Sequence, residues 1–365
     1  MFKKRISADN ILHFFLKIFY FLDENSYFKN LLTNYLLVEI AKELKCSKKA
    51  IHNLIIINFF KSIFTNQLPE DYSSGLEKLQ KILLKTNKDS VCKNQDKILE
   101  ISRIFADSIG SVALSFSKTP EETAIQEAFR VRSNLNFSVL DNFDCEIKNA
   151  VKKIVDKESF WLDLFYLENV IPDLFQTYVK GKFRYSVLET VASLANQLLQ
   201  VNGYLTLDHV YSVAETSEQL ARELKFSKKD IFLIRIAGLL HDIGKVTVPR
   251  EILNYPGKLN SAQLTMIRIH SYFTYVFLRV LDPPEIVLSA AFHHEKLDGT
   301  GYPFHLEEAD IPLSSQIISV ADIYRALHED RPYRNKFSES EIKSIMQELV
   351  GNKSLNPKIV ALLCY

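Results

Sequence analysis

"LARELKFSKKDIFLIRIAGLLHDIGK", residues 220–245, sets the reading of the whole chain. Its apolar residues recur at three- and four-residue spacing, the period of an α-helix. A near copy, "IAKELKCSKKAI" at residues 40–51, lies 180 positions earlier and runs into an equally apolar continuation, "HNLIIINFFKSIF". A second echo follows in the same order: "ISRIFADSIG" (101–110) parallels "IISVADIYRA" (317–326) and aligns Asp107 with Asp322. A repeat that keeps its order outweighs any single segment in deciding a fold. Two copies of one helical unit is the economical account.

The expected fold class is therefore all-α, in two tandem helical domains. Ten glycines and 11 prolines in 365 residues leave few helix breakers. The one strand expectation is a small hairpin around "GKVTVPREIL" (244–253). The length suits two units of ordinary domain size. "TYVKGKFRYS" (177–186) marks the junction and gives domains 1–176 and 177–365. Hydrophobic residues at 47% and charged residues at 24% are the balance of a soluble globular protein. "LHFFLKIFYFL" (12–22) is the best membrane candidate, but Lys17 interrupts it and Asp23 and Glu24 follow it. A spanning helix needs ~20 apolar residues, so this one reads as buried core. No signal-peptide cleavage pattern follows it, and the expected location is the cytoplasm. Cys46, Cys92, Cys145 and Cys364 form no C-x-x-C pair, which argues against a zinc cage and fits reduced structural thiols. With a net charge of +1 there is no global field to recruit nucleic acid or a membrane. Any phosphate binding has to come from a local cluster.

Chemistry concentrates in the second copy. Of nine histidines only His13 and His52 precede residue 200. At the repeat offset, Lys29 stands where the second copy has His209, and Lys61-Ser62 where it has His241-Asp242. A lone His-Asp pair at the end of an apolar helix is ordinarily a hydrogen-bonded core pair. Here His209, His270, the pair His293-His294 and Asp322 also sit in apolar, helix-like contexts. Helices of a bundle can bring such donors together, and an aspartate using both oxygens can bridge two ions. Nitrogen and oxygen donors without thiolate suit iron, manganese or other first-row ions and do not choose among them. In "HHEKLDGTGYP" (293–303), Gly299 and Gly301 permit a sharp turn and close backbone approach, Pro303 stiffens the exit, and Tyr302 is displayed at the rim.

With "HDIGK" (241–245), "HHEKLDGTGYP", the intervening His270, "VAD" ending at Asp322 and "DRPYR" (330–334), the chain resembles the HD-GYP phosphodiesterases of the HD metallohydrolase superfamily. The resemblance covers about residues 185–365 and makes the first copy a degenerate HD-like repeat. It implies a metal-dependent hydrolysis of cyclic di-GMP to pGpG or GMP. It implies that His209, His241, Asp242, His270, His293, His294 and Asp322 are metal ligands. Asp242 and Lys245 would be catalytic, Lys245 would also meet a substrate phosphate, and Tyr302, Arg331 and Arg334 would hold the nucleotide. Some family members hold a third metal through a glutamate one turn before the first histidine. Leu205 stands there instead, so the expected cofactor is two divalent ions, iron or manganese, with cyclic di-GMP as the partner molecule.

Two cations would polarise the phosphodiester and bring a water between them toward deprotonation at neutral pH. Lys245 would offset charge on a non-bridging oxygen. Two other functions remain open on this reading: a catalytically weak cyclic-dinucleotide sensor or scaffold, and a phosphohydrolase acting on another cyclic dinucleotide. The first copy, without ligands, is expected to regulate, to dimerise or to engage a protein partner.

Overall fold

The computed structural model describes residues 5–64, 73–84, 94–116, 126, 130–132, 137–281, 283–330 and 336–363. The two copies of the repeat close one helix and begin the next in the same way. Lys45 and Lys225, 180 positions apart, both adopt left-handed backbone, with φ of 55° and 57°. The Cys46 and Phe226 amides donate to the Ala41 and Ala221 carbonyls at 2.9 and 3.0 Å. The Lys45 and Lys225 amides donate to Lys42 and Arg222 at 2.9 and 3.0 Å. Each pair of bonds satisfies carbonyls that a helix end otherwise leaves unpaired.

The chain divides into two compact units, Ser7–Phe183 and Met1–Ile6 with Arg184–Tyr365. In the first, the helices are α1 (Ala8–Leu22), α2 (Glu24–Glu43), α3 (Lys48–Phe64), α4 (Ser73–Leu84), α5 (Gln95–Phe116), α6 (Cys145–Val155), α7 (Glu158–Asp163) and α8 (Leu167–Tyr178). Asp23 starts α2 by accepting from the Ser26 amide at 3.1 Å. From Asn30 to Val38 every residue of α2 is buried. A helix buried on all sides is central, and α2 packs against α1, α3, α5, α6 and α8. Buried polar donors on it bond within the helix: Asn34 Nδ2 donates to Asn30 Oδ1 at 2.9 Å, and Thr33 Oγ1 donates to the Lys29 carbonyl at 2.7 Å.

The second unit contains α9 (Val187–Val201), α10 (Leu207–Glu223), α11 (Lys228–Leu240), α12 (Ser261–Leu278), α13 (Pro284–Ala291), α14 (Leu313–Leu327), α15 (Glu339–Gly351) and α16 (Pro357–Leu363). Here α10 packs on α9, α11 and α14 as α2 packs on α1, α3 and α5. Asn260 with Gln263, and Ser338 with Glu341, form reciprocal caps that fix the starts of α12 and α15. Gly238 lets α11 lie close on α10, because a Cβ there would stand 2.9 Å from Ala214 Cα.

Among the described residues, regular structure is thus all-α apart from two short strands, Arg5–Ser7 and Lys182–Arg184, which pair with each other. The hairpin expected at residues 244–253 does not form. Residues Ile243–Thr247 make a 3₁₀ turn, and Arg250–Leu253 a single helical turn. The β-branched run there is too short to pair, and Gly244 is packed against α12 instead. Phe14, Phe15, Ile18 and Phe19 bury the apolar α1, and no helix among the described residues is long and apolar enough to cross a membrane. Cys46 and Cys145 are free thiols. Cys92 and Cys364 lie outside the described residues.

The repeat also explains what became of the first copy. Lys29 on α2 forms an ion pair with Asp107 on α5. In the second copy, the matching helices α10 and α14 place His209 Nε2 3.2 Å from Asp322 Oδ1.

Candidate metal centre

Six structural positions deliver the site. His209 comes from the first turn of α10, and His241 ends α11. Asp242 opens the 3₁₀ turn, and His270 lies in the middle of α12. His293 and His294 follow the end of α13, and Asp322 is on α14. Three sets each gather one donor atom per residue within 4.8 Å: His270, His293 and His294; His209, His241 and Asp322; His241, Asp242 and His293. All seven expected ligands fall in these sets. His241 Nε2 lies 3.2 Å from Asp242 Oδ2 and 3.9 Å from Asp322 Oδ1, while His270 Nε2 lies 3.5 Å from Asp242 Oδ1.

Three of the histidines are oriented by one device. His241, His270 and His293 each turn Nδ1 to the carbonyl three residues back, Gly238, Ile267 and Ala290, at 2.8, 2.6 and 2.6 Å. A carbonyl only accepts, so Nδ1 carries the proton and the Nε2 lone pair points inward. His241 Nε2 and His293 Nε2 are buried with no hydrogen-bond partner. Buried lone pairs left unmatched are costly, and a cation is the partner that satisfies several converging ones at once.

Electrostatics keeps His270, His293, His294, Asp242 and Asp322 in ligand form. Burial pushes the His270 and His293 pKa values down, and for His293 the neighbouring histidines add to it. Burial and the charge of His270 take His294 down to about 3. These imidazoles are neutral at physiological pH. Burial would raise the carboxyl pKa of Asp242, but His241, Lys245 and His270 hold it well below the usual range. Asp322 is likewise held low against burial by its bond from His209 and by the histidines around it. Burial would lower the pKa of His209, yet bonds to Asp322 and Glu329 raise it to about 9.

Five of the donors, His209, Asp242, His270, His294 and Asp322, line a cavity of about 380 Å³ with Lys245 and Tyr302 on its wall and Ile267, Ile323, Ala326 and Leu327 as its apolar side. Lys245 Nζ donates to Asp242 Oδ2 at 2.5 Å. The Tyr302 ring lies 4.8 Å from the His294 ring, and the Arg268 guanidinium stands over the Tyr302 ring, 5.3 Å from its centroid. Gly301 makes this placement of Tyr302 possible by packing directly on the chain at 295–296, where a Cβ would stand 2.4 Å from both Glu295 Cα and Lys296 N. Gly299 takes φ of 76°, which a side chain disfavours. Arg331 and Arg334 lie outside the described residues.

Two carboxylates escaped the sequence reading. Glu329 Oε1 sits 2.9 Å from His209 Nδ1 and orients that ring from outside the cluster. The buried Glu295 accepts from the Phe304 and Leu306 amides at 2.7 and 3.0 Å and so clamps the glycine loop shut. Glu295 carries a sequence signal, a charge directly after the histidine pair. Glu329 carries none.

With this geometry in place, comparison with known proteins gives the lineage. Residues 187–359 match the HD domain family. The second unit is an HD domain. This HD unit has relatives among curated enzymes. The chain is 32% identical over 221 residues to "3'3'-cGAMP-specific phosphodiesterase 1" of Vibrio cholerae serotype O1, covering 60% of the chain and 51% of that protein. It is 33% identical over 200 residues to a cyclic di-GMP phosphodiesterase of Thermotoga maritima, covering 54% of the chain and 52% of that protein. The chain thus spans about half the length of these relatives. A crystal structure of a cyclic GMP-AMP specific phosphodiesterase of V. cholerae superposes with a TM-score of 0.55 at 19% identity, covering 98% of this chain and 96% of that one. At that identity the likeness concerns the fold, and it extends over both helical units.

Proposed function

We propose that the chain is a metal-dependent phosphodiesterase that hydrolyses a cyclic dinucleotide, cyclic di-GMP, to pGpG or GMP. The observation that carries this reading is the convergence of His209, His241, Asp242, His270, His293, His294 and Asp322 with two buried imidazole nitrogens unmatched. These residues would hold two divalent cations, iron or manganese. Leu205, ahead of α10, offers no donor for a third. When bound, the cations supply Lewis-acid polarisation of the phosphodiester and an acidified water.

The protein groups do the rest. Asp242 and Asp322 remain ionised and balance the cation charge. Lys245, already poised beside Asp242, directs its ammonium to a non-bridging phosphate oxygen as negative charge grows there. Tyr302 offers a ring face to a base at the cavity wall. The apolar side formed by Ile267, Ile323, Ala326 and Leu327 limits water around the reacting phosphate. Arg331 and Arg334 supply further phosphate contacts.

A second substrate, 3'3'-cyclic GMP-AMP, is favoured by the names of relatives at 32% and 36% identity. Metal-loaded protein incubated with each nucleotide separates the two, with His241→Ala and Asp242→Ala as controls. Binding of either nucleotide without metal-dependent turnover would instead make the chain a sensor. For the first unit we take a regulatory or dimerising role, since it keeps the repeat's helix packing and lacks the ligand set. Unchanged turnover and molar mass after removal of residues 8–176 would contradict it.

A further inference from the structure

The first unit holds a cavity of its own, about 670 Å³, lined by Lys48, Lys49, His52, Gln176, Thr177, Tyr178 and Lys180. Three of these side chains are ammonium groups, and no carboxylate lines the cavity among the described residues. Lys48 and Lys49 form the first turn of α3, a 17-residue helix with no acidic residue in that turn. Cations there face the positive end of the helix dipole and repel it. Neither has an ion-pair partner among the described residues.

The repeat supplies a control inside the same chain. Lys228 and Lys229 occupy the matching positions at the start of α11. There Asp230 stands in the first turn and Lys229 is paired with Glu285 at 3.1 Å. In the first copy, Ala50 replaces the aspartate. The same lysine pair is thus charge-compensated in the second copy and, among the described residues, uncompensated in the first, where it lines the cavity.

The cavity wall is also held in place. His52 is buried, with its Nδ1 accepting from the Lys180 amide at 3.2 Å and its Nε2 3.3 Å from the Leu83 carbonyl. A carbonyl only accepts, so Nε2 carries the proton. The ring is fixed as neutral and ties the segment bearing Lys180 to α3. Lys180 Nζ donates to the Gln176 carbonyl, which ties the exposed third ammonium to another residue of the cavity wall.

We infer that this cavity, formed by Lys48, Lys49 and Lys180, is a binding site for a small phosphate-bearing anion, separate from the metal centre. Its volume falls in the ~300–1,000 Å³ range of small-molecule sites and accommodates a mononucleotide. The half-buried Tyr178 lies on the wall where a base would rest. The inference does not depend on the activity proposed for the second unit.

The test uses the full chain, titrated calorimetrically with inorganic pyrophosphate and separately with 5'-GMP. At least one probe should give a saturable event that weakens tenfold or more in Lys48→Ala/Lys49→Ala. The event should persist in Lys48→Arg/Lys49→Arg and in Lys228→Ala/Lys229→Ala. Binding confined to the second unit survives the first double variant, so an isotherm unchanged in Lys48→Ala/Lys49→Ala overturns the inference, as does the absence of saturable binding by both probes. Without added anion, the alanine variant should melt at the same temperature as the parent or higher, because it loses like-charge repulsion. A lower melting temperature would mean that the lysines serve the fold and would also overturn it.

Discussion

Gly244→Ala is the sharpest perturbation of the metal centre that leaves every donor in place. A Cβ at 244 would stand 2.0 Å from the His270 carbonyl oxygen and 2.7 Å from the Thr274 amide nitrogen, both backbone atoms of α12. Ordinary contact begins at 3.4 Å, so α12 and the 3₁₀ turn must separate by about 1.4 Å. The Gly244 amide also donates to Thr274 Oγ1 at 3.1 Å, a bond that this separation breaks. Overpacking of this kind costs roughly 1–3 kcal/mol. The larger effect falls on His270, whose Nε2 is 3.5 Å from Asp242 Oδ1. A misplacement of about 1 Å at a reacting centre lowers rates roughly 100-fold. Three measurements follow on one protein: thermal unfolding, metal content by mass spectrometry, and turnover of a cyclic dinucleotide. The expected outcome is a folded variant that melts earlier, retains less metal and turns over about 100-fold more slowly. A variant with parental melting, metal content and rate would show that the turn and α12 do not have to touch for the donors to meet.

Glu329→Gln removes the carboxylate that faces His209 Nδ1. Metal affinity should fall about 10- to 100-fold, and a metal titration that leaves it unaltered excludes an orienting role. Glu295→Gln weakens the two-amide clamp on the glycine loop by roughly 1.5–3 kcal/mol; KM should rise more than kcat falls, and equal changes in both argue against a loop that positions substrate. Lys245→Met should lower kcat while metal content holds; a loss of metal instead would assign Lys245 to the integrity of the centre. His13 and His52 are both lowered in pKa mainly by burial. Their folded pKa values lie below the unfolded value of about 6.5, so the stability they contribute is complete above that pH and is lost as pH falls toward the folded values. Acidification from pH 7 to 5 should lower the melting temperature, and His52→Gln should shrink the drop. An equal drop in both proteins removes His52 as its source.

Much of this architecture could be read from residue spacing because the repeat fixes helix ends as well as helix faces. Lys45 and Lys225 have no glycine to announce their left-handed turns, yet their shared "EL-K" context places both. The expected hairpin at 244–253 failed for the converse reason: valine and threonine favour strands locally, while the close seat of Gly244 on α12 is a tertiary contact that no local pattern contains. Among the site residues, adjacent pairs such as His241-Asp242 and His293-His294 declare themselves. Glu329 does not, since it matters only through a ring 120 positions away in sequence. Tyr302 was expected at the rim and lies on the cavity wall against His294, held by the Glu295 clamp behind it.

The ion pair of Lys29 with Asp107 is a surface contact, and it links α2 to α5 at the positions where the second copy has His209 and Asp322. On the reading proposed above, bound metal would tie α10 to α14 in the second unit, whereas α2 and α5 are linked without it. Exposure to a strong chelator should accordingly accelerate hydrogen exchange along α10 and α14 and leave α2 and α5 at their original rates.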